Sequence, residues 1–239
     1  NTFSNISVPI APNQQYFQFR LYLDVKNSTT NITIAPYADE VNFSYEDKGI
    51  GICDDGSPNT TCNITTVKSF NTGDLFQGTG KLFIKNGGSF YNITGAALTL
   101  NFSNVTIEDG GNISSFQPEP SSAPAPGGNI TLIAGDTVNV TGGIFIRGGN
   151  ITTGVSPYMS ASAGILNVTA TRIFINGTID GEGGDAPNPG TNNANYGGNG
   201  SVILLNASQI NITGVLNLTG GIGLSIGSGA IKKCAFGGY

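Results

Sequence analysis

Thr137-Val-Asn-Val-Thr-Gly-Gly-Ile-Phe145, Arg172-Ile-Phe-Ile-Asn-Gly-Thr-Ile-Asp180 and Gln209-Ile-Asn-Ile-Thr-Gly-Val-Leu-Asn217 are one phrase written three times, and Asn104-Val-Thr-Ile-Glu-Asp-Gly-Gly111 is a looser fourth copy. Val105, Val138, Ile173 and Ile210 share one column of this alignment. Five residues earlier stand Leu100, Ile133, Val168 and Leu205, and two later Ile107, Val140, Ile175 and Ile212. Four later the column reads Asp109, Gly142, Gly177, Gly214; six later it reads Gly111, Ile144, Ile179, Leu216. The anchors are 33, 35 and 37 residues apart (105 to 138, 138 to 173, 173 to 210).

Within each copy the apolar residues recur at every second position, so they point to one face of a strand. The glycine then lets the chain turn sharply before a second short strand. One such unit cannot bury its own apolar face. Copies stacked about 4.8 Å apart would align Val105, Val138, Ile173 and Ile210 as a ladder inside a shared core. A fixed period of this size marks a repeat architecture. Short β-branched strands without helical periodicity select an all-β parallel β-helix over helical solenoids. A propeller would need four strands per copy, and a meander sandwich would leave the columns unexplained. The β-helix is expected over residues 73–239, with its repeats at about 98–223. Loops rich in Gly, Pro, Ala, Ser and Asn are expected at 114–128, 148–164 and 181–200.

Upstream, Phe17, Phe19, Leu21, Leu23 and Val25 alternate with polar residues, the pattern of an amphipathic strand. Further strands are expected near 31–35, 41–45 and 65–70. Together they suggest a small antiparallel β unit over residues 1–72 that caps the first coil of the solenoid. At the terminus Ile6, Val8 and Ile10 alternate, while Pro9 and Pro12 bar a central place in a sheet. Residues 1–12 therefore read either as an edge strand of their own domain or as a strand donated to a neighbouring subunit. Cys53 and Cys62 enclose a polar, turn-prone loop and are expected to form a local disulfide. Cys234 is left over, for another subunit, for further sequence, or as a buried thiol.

Composition narrows the function. The net charge is −5 with no basic run, which argues against nucleic acid and anionic membranes as partners. No apolar run approaches the roughly 20 residues of a membrane-spanning helix. The chain begins with Asn rather than Met, as expected if a signal segment has been removed. With no histidine, Ser-His-Asp and Cys-His catalysis and His-based metal sites are excluded.

Only 10% of residues are charged, so something else must keep the surface soluble. Asn-x-Ser/Thr acceptor sequences stand at Asn5, Asn27, Asn31, Asn42, Asn59, Asn63, Asn92, Asn101, Asn104, Asn112, Asn129, Asn139, Asn150, Asn167, Asn176, Asn199, Asn206, Asn211 and Asn217, 19 of the 27 asparagines. Ser and Thr make up 43 of 239 residues, so chance would supply about five. Many of these asparagines alternate with core residues, as in Val138-Asn139-Val140, which turns them outward, where a glycan can be attached. A secreted, densely N-glycosylated protein is expected.

The acidic residues have several readings. Asp180, Glu182 and Asp185, at the mouth of the longest loop, could be turn residues, calcium ligands or a carboxylate pair for glycoside cleavage. Asp54 and Asp55 carry the same alternatives. Gly220-Gly-Ile-Gly223 lacks the helix and lysine of a phosphate cradle and reads as a corner. Tyr158 and Tyr196 could stack on sugars.

Asn176-Gly-Thr-Ile-Asp-Gly-Glu-Gly-Gly184 resembles the Gly-x-Ile-Asp-Gly-x-Gly corner of polygalacturonase-like parallel β-helices. In that family the motif belongs to the scaffold. The catalytic Asn-Thr-Asp, Asp-Asp and Gly-His-Gly segments are absent, so the activity does not carry over. Pectate-lyase chemistry would need a basic residue beside calcium ligands, and neither Arg147 nor Arg172 sits in such a motif. The whole chain resembles secreted β-helical surface glycoproteins of archaeal cell envelopes. That resemblance implies a non-enzymatic structural subunit of an extracellular filament, sheath or surface layer, with copies of itself as partners. The alternatives are an adhesin or carbohydrate-binding module, with the loops as its face, and a polysaccharide-cleaving enzyme using Asp180, Glu182 or Asp185.

Overall fold

The computed structural model describes residues 52–152, 159–186, 196–227 and 230–235. Contacts divide the chain into Asn1–Ile50 and Gly51–Tyr239, and all described residues belong to the second unit. The strands expected at 6–10, 17–25, 31–35 and 41–45 lie outside the described residues, as do Asn5, Asn27, Asn31, Asn42 and Tyr158.

Among the described residues the fold is all-β, without a helix. The strands are β1 (Asp55–Gly56), β2 (Thr61–Ile64), β3 (Val67–Ser69), β4 (Asp74–Gln77), β5 (Lys81–Ile84), β6 (Ser89–Asn92), β7 (Leu98–Ile107), β8 (Asn112–Ser115) and β9 (Ile130–Val140). There follow β10 (Gly143–Phe145), β11 (Ile165–Thr169), β12 (Arg172–Ile175), β13 (Thr178–Asp180), β14 (Val202–Asn206), β15 (Gln209–Ile212), β16 (Val215–Asn217), β17 (Ile222–Gly227) and β18 (Ala230–Ala235). One sheet contains the path β1-β2-β5-β7-β9-β11-β14, with β4, β12 and β15 alongside; the other runs β16-β13-β10-β8-β6-β3. Every pairing in these two sheets is parallel except β1 with β2. β17 and β18 form a separate antiparallel pair.

The anchor column holds in register. Val105 faces Val138, Val138 faces Ile173 and Ile173 faces Ile210. The first three are fully buried, as are Ile107, Ile144 and Ile179 from the flanking columns, and both sheets contribute to one apolar core. Parallel strands covered in this way read as β-branched and apolar, which is why Val and Ile dominate here.

Two columns differ from the alignment. Leu100 and Val168 face Leu132, not Ile133, because β9 advances three residues from Ala134 to Thr137 while β7 advances two, from Phe102 to Asn104. This bulge at Gly135-Asp136 turns Ile133 away from the column and buries Leu132 in its place. In the first copy Ile113, not Gly111, faces Ile144. The turn before β8 is two residues longer there and contains Gly110 at φ 77°.

β2 and β3 pair in parallel with β5 and β6. Residues 61–69 therefore lie in the same sheets as the repeats, upstream of the boundary expected at residue 72. The Cys53–Cys62 disulfide forms, with Cα atoms 5.0 Å apart, and ties the segment before β1 to β2.

The glycine-rich connections are built structure. Residues 125–128, 160–164 and 196–201 form one layer; residues 146–151, 180–186 and 217–222 form a second. Bonds such as Gly148 N–H to Glu182 O and Ala163 N–H to Asn199 O, both 2.9 Å, hold each layer together. Between layers runs a chain of donors and acceptors: Gly221 to Gly198, Gly198 to Gly184, Gly184 to Ala161, Ala161 to Gly149 and Gly149 to Ala125. A Cβ on Gly184 would stand 2.0 Å from the Gly149 oxygen, and one on Gly221 would stand 1.9 Å from the Gly184 oxygen. Only glycine admits backbones this close. The result is a two-layered glycine slab whose backbone groups bond within and between its layers.

Candidate functional site

Three features could carry function: the asparagine array, the acidic corner and the end of the stack. Of the 15 sequon asparagines among the described residues, none is buried. Asn59, Asn129, Asn150, Asn176, Asn199, Asn206 and Asn211 are exposed; Asn63, Asn92, Asn101, Asn104, Asn112, Asn139, Asn167 and Asn217 are half-buried. Several also join one rung of the stack to the next. The Oδ1 atoms of Asn104, Asn129 and Asn150 accept the backbone N–H groups of Thr137, Ile165 and Asp185 at 3.1, 2.9 and 2.7 Å. These bonds use the side-chain carbonyl and leave Nδ2, the atom that would carry a glycan, without a partner in them. Asn92 is engaged further. Its Nδ2 donates to Phe70 O at 2.8 Å, and its Oδ1 accepts from Thr94 and Ala96.

At the acidic corner the three carboxylates part company. Asp180 is 5% exposed and bonds to the Nε and Nη2 atoms of Arg147; Asn217 Nδ2 lies 3.2 Å from its other oxygen. The bond to Asp180 holds the Arg147 guanidinium above its ordinary pKa, against the opposing effect of burial. Arg147 also lies over the Phe116 ring, 5.8 Å from its centroid. Asp185 accepts the Ile222 N–H at 2.7 Å. With Glu182, Asn150, Phe116 and Arg147 it borders a groove of about 200 Å³ on the slab. Among the described residues no three acidic, cysteine or histidine side chains gather as a metal-binding group. Arg172 lies apart, paired with Asp136 at the surface. Asp54 accepts from the Thr65 and Thr66 N–H groups at 2.6 and 2.8 Å and from Lys68. Burial opposes its ionisation, but these donors hold its carboxyl well below the usual carboxylate range. Asp55 accepts from Asn63 at 3.1 Å. Both aspartates thus have structural work at the first turn.

The two ends of the stack differ. At the start Cys62, Ile64 and Phe70 are buried and β1 pairs antiparallel with the outer edge of β2, while Val67 on β3, the first strand of the other sheet, is 64% exposed. At the finish the core columns emerge. Ile210, Ile212 and Leu216 are 45%, 39% and 38% exposed, whereas their neighbours Ile173, Ile175 and Ile179 are at most 1% exposed. Among the described residues β14, β15 and β16 are each paired on one side only. This end was not legible from the repeat pattern, which treats all copies alike.

Comparison with protein-family models, curated proteins and solved structures finds no match. Among the described residues no helix is long and apolar enough to cross a membrane.

Proposed function

We propose that this chain is a structural, non-enzymatic subunit of an extracellular filament, sheath or surface layer, folded as a parallel β-helix and N-glycosylated along its sides. The observation that carries the reading is the uncovered last rung. An apolar core that stops at open strand edges is an association surface, and edges left bare invite pairing with another chain. The first end presents a different surface, an antiparallel β1–β2 hairpin beside β3, so contact between copies is heterologous and propagates into an open polymer. The sequon array supports the extracellular part of the reading. Glycans on outward asparagines would keep the sides soluble where charges are sparse, restricting growth to the ends.

Negative-stain electron microscopy of the native glycosylated protein tests this. Long regular fibres or sheets are expected; isolated particles the size of one chain would overturn it. A carbohydrate-binding role is the second reading, favoured by the groove where Phe116, Arg147, Glu182 and Asp185 meet. Saturable binding of a soluble polysaccharide that is lost in Glu182→Gln would support it.

A further inference from the structure

We propose that the exposed last rung accepts residues 1–12 of a second copy, which pair as a strand along the edge of β15 opposite β12, unpaired among the described residues. The inference rests on the structural-subunit reading and specifies its joint.

The acceptor needs an apolar strand with two-residue alternation. Ile210 and Ile212 end their columns at that spacing on β15, whose other edge is bonded to β12. The next rung would be a strand about 4.8 Å further on that places two apolar side chains over them. The column of β15 begins at the first end with β2, edged by β1, so stacking that end of another copy here would set Ile210 and Ile212 against Asp55 and Gly56, which are exposed. A single extended segment fits better.

Asn5-Ile-Ser-Val-Pro-Ile-Ala11 has the required pattern. Val8 and Ile10 match the spacing of Ile210 and Ile212, and Ile6 continues the same face. No Asp, Glu, Lys or Arg precedes Arg20, so burial of this stretch strands no side-chain charge. The prolines suit the place. Backbone groups of successive residues point to opposite edges of a strand, so pairing through Ile6, Val8 and Ile10 puts Pro9 on the outer edge, where its missing N–H costs nothing. Pro12 falls on the pairing edge and ends the strand. Asn5, Ser7 and Pro9 then face outward, which leaves room for a glycan on Asn5. The joint admits one strand and blocks a second.

The test uses two full-length variants. Val8→Asp damages the donor and keeps the acceptor; Ile212→Asp damages the acceptor and keeps the donor. Each is checked for folding by thermal denaturation, with Ile210→Asp as a second acceptor variant should Ile212→Asp fail to fold. Analytical ultracentrifugation is expected to show polymers for the parent, monomers for each variant alone, and 1:1 heterodimers when the two are mixed. Polymers that persist in Val8→Asp overturn the strand assignment and leave the filament reading standing. A mixture that stays monomeric while the parent polymerises does the same. A parent that remains monomeric overturns both.

Discussion

Gly177 lies against Gly142 so closely that a Cβ on Gly177 would stand 2.0 Å from the Gly142 carbonyl oxygen. Gly214 repeats the relationship one rung on, 2.0 Å from the oxygen of Gly177. The glycine column of the repeat is thus a packing requirement between rungs as well as a turn signal. Gly177→Ala forces two backbones apart, and a loss of about 1–3 kcal/mol is expected from denaturant unfolding. Gly135, in the β9 bulge, is the control. A Cβ there meets nothing closer than 3.7 Å, so Gly135→Ala should stay within about 0.5 kcal/mol of the parent.

Asp180 is the most buried carboxylate of the ion pairs among the described residues, its side chain 7% exposed against 42% for its partner Arg147. Removing the arginine leaves a buried carboxylate with Asn217 as its remaining side-chain donor. Arg147→Met should therefore cost about 1–3 kcal/mol in denaturant unfolding, the lower part of the buried range because Arg147 is partly solvated. The double variant Arg147→Met/Asp180→Leu should recover part of that loss. If both variants unfold like the parent, the pair is no structural anchor.

How far the residues alone disclose this structure depends on what each column encodes. Val105, Val138, Ile173 and Ile210 were legible because a strand core repeats its chemistry at fixed spacing. Ile133 and Gly111 were misplaced because an alignment of equal offsets cannot register a one-residue bulge or a turn two residues longer. The glycine slab was hidden for another reason: a glycine's role there is the absence of a side chain, and the carbonyl that fills the space comes from a segment tens of residues away. For the acidic corner the motif located Asp180, Glu182 and Asp185 but not their partners. Arg147 and Ile222 reach them from other rungs. The difference between the two ends is likewise a property of the stack, not of any one copy.

Asp54 predicts a pH dependence. Its carboxyl titrates below its ordinary value of about 3.9, so the folded state binds fewer protons there than the unfolded state. The stabilisation is complete at neutral pH, declines as the pH falls below about 4, and disappears on passing through the depressed folded value. Asp54→Asn should lower the denaturation midpoint at pH 7, and its gap from the parent should narrow in acid. A gap independent of pH between 7 and 2 would show that the carboxylate contributes no charge effect.

The disulfide offers a test of the β1–β2 hairpin. Cys53 and Cys62 are nine residues apart, and opening so short a loop should cost about 2–3 kcal/mol on chain-entropy grounds. Cys53→Ser/Cys62→Ser is expected to lose that amount in denaturant and to expose amides of β2 to hydrogen exchange before those of β12. Uniform loss of protection across both strands would mean that the hairpin is no local lid.

Site-resolved glycan occupancy decides whether the asparagine array is chemical or merely architectural. An acceptor asparagine must present Nδ2 to solvent, and its modification must leave the rung-to-rung bonds intact. Asn129 and Asn150 meet both conditions: each is exposed and uses Oδ1 for the next rung. Asn92 meets neither, since it is half-buried and its Nδ2 is bound to Phe70 O. Glycopeptide mass spectrometry of protein from its native source should find the exposed set, Asn59, Asn129, Asn150, Asn176, Asn199, Asn206 and Asn211, occupied at a high level, and Asn92 the least modified. Enzymatic or chemical removal of the glycans should then lower solubility and produce lateral clumping while the fold, followed by far-ultraviolet circular dichroism, persists. Unmodified peptides at all seven exposed positions would reduce the array to its structural role, and the sparsely charged sides would need another explanation for their solubility.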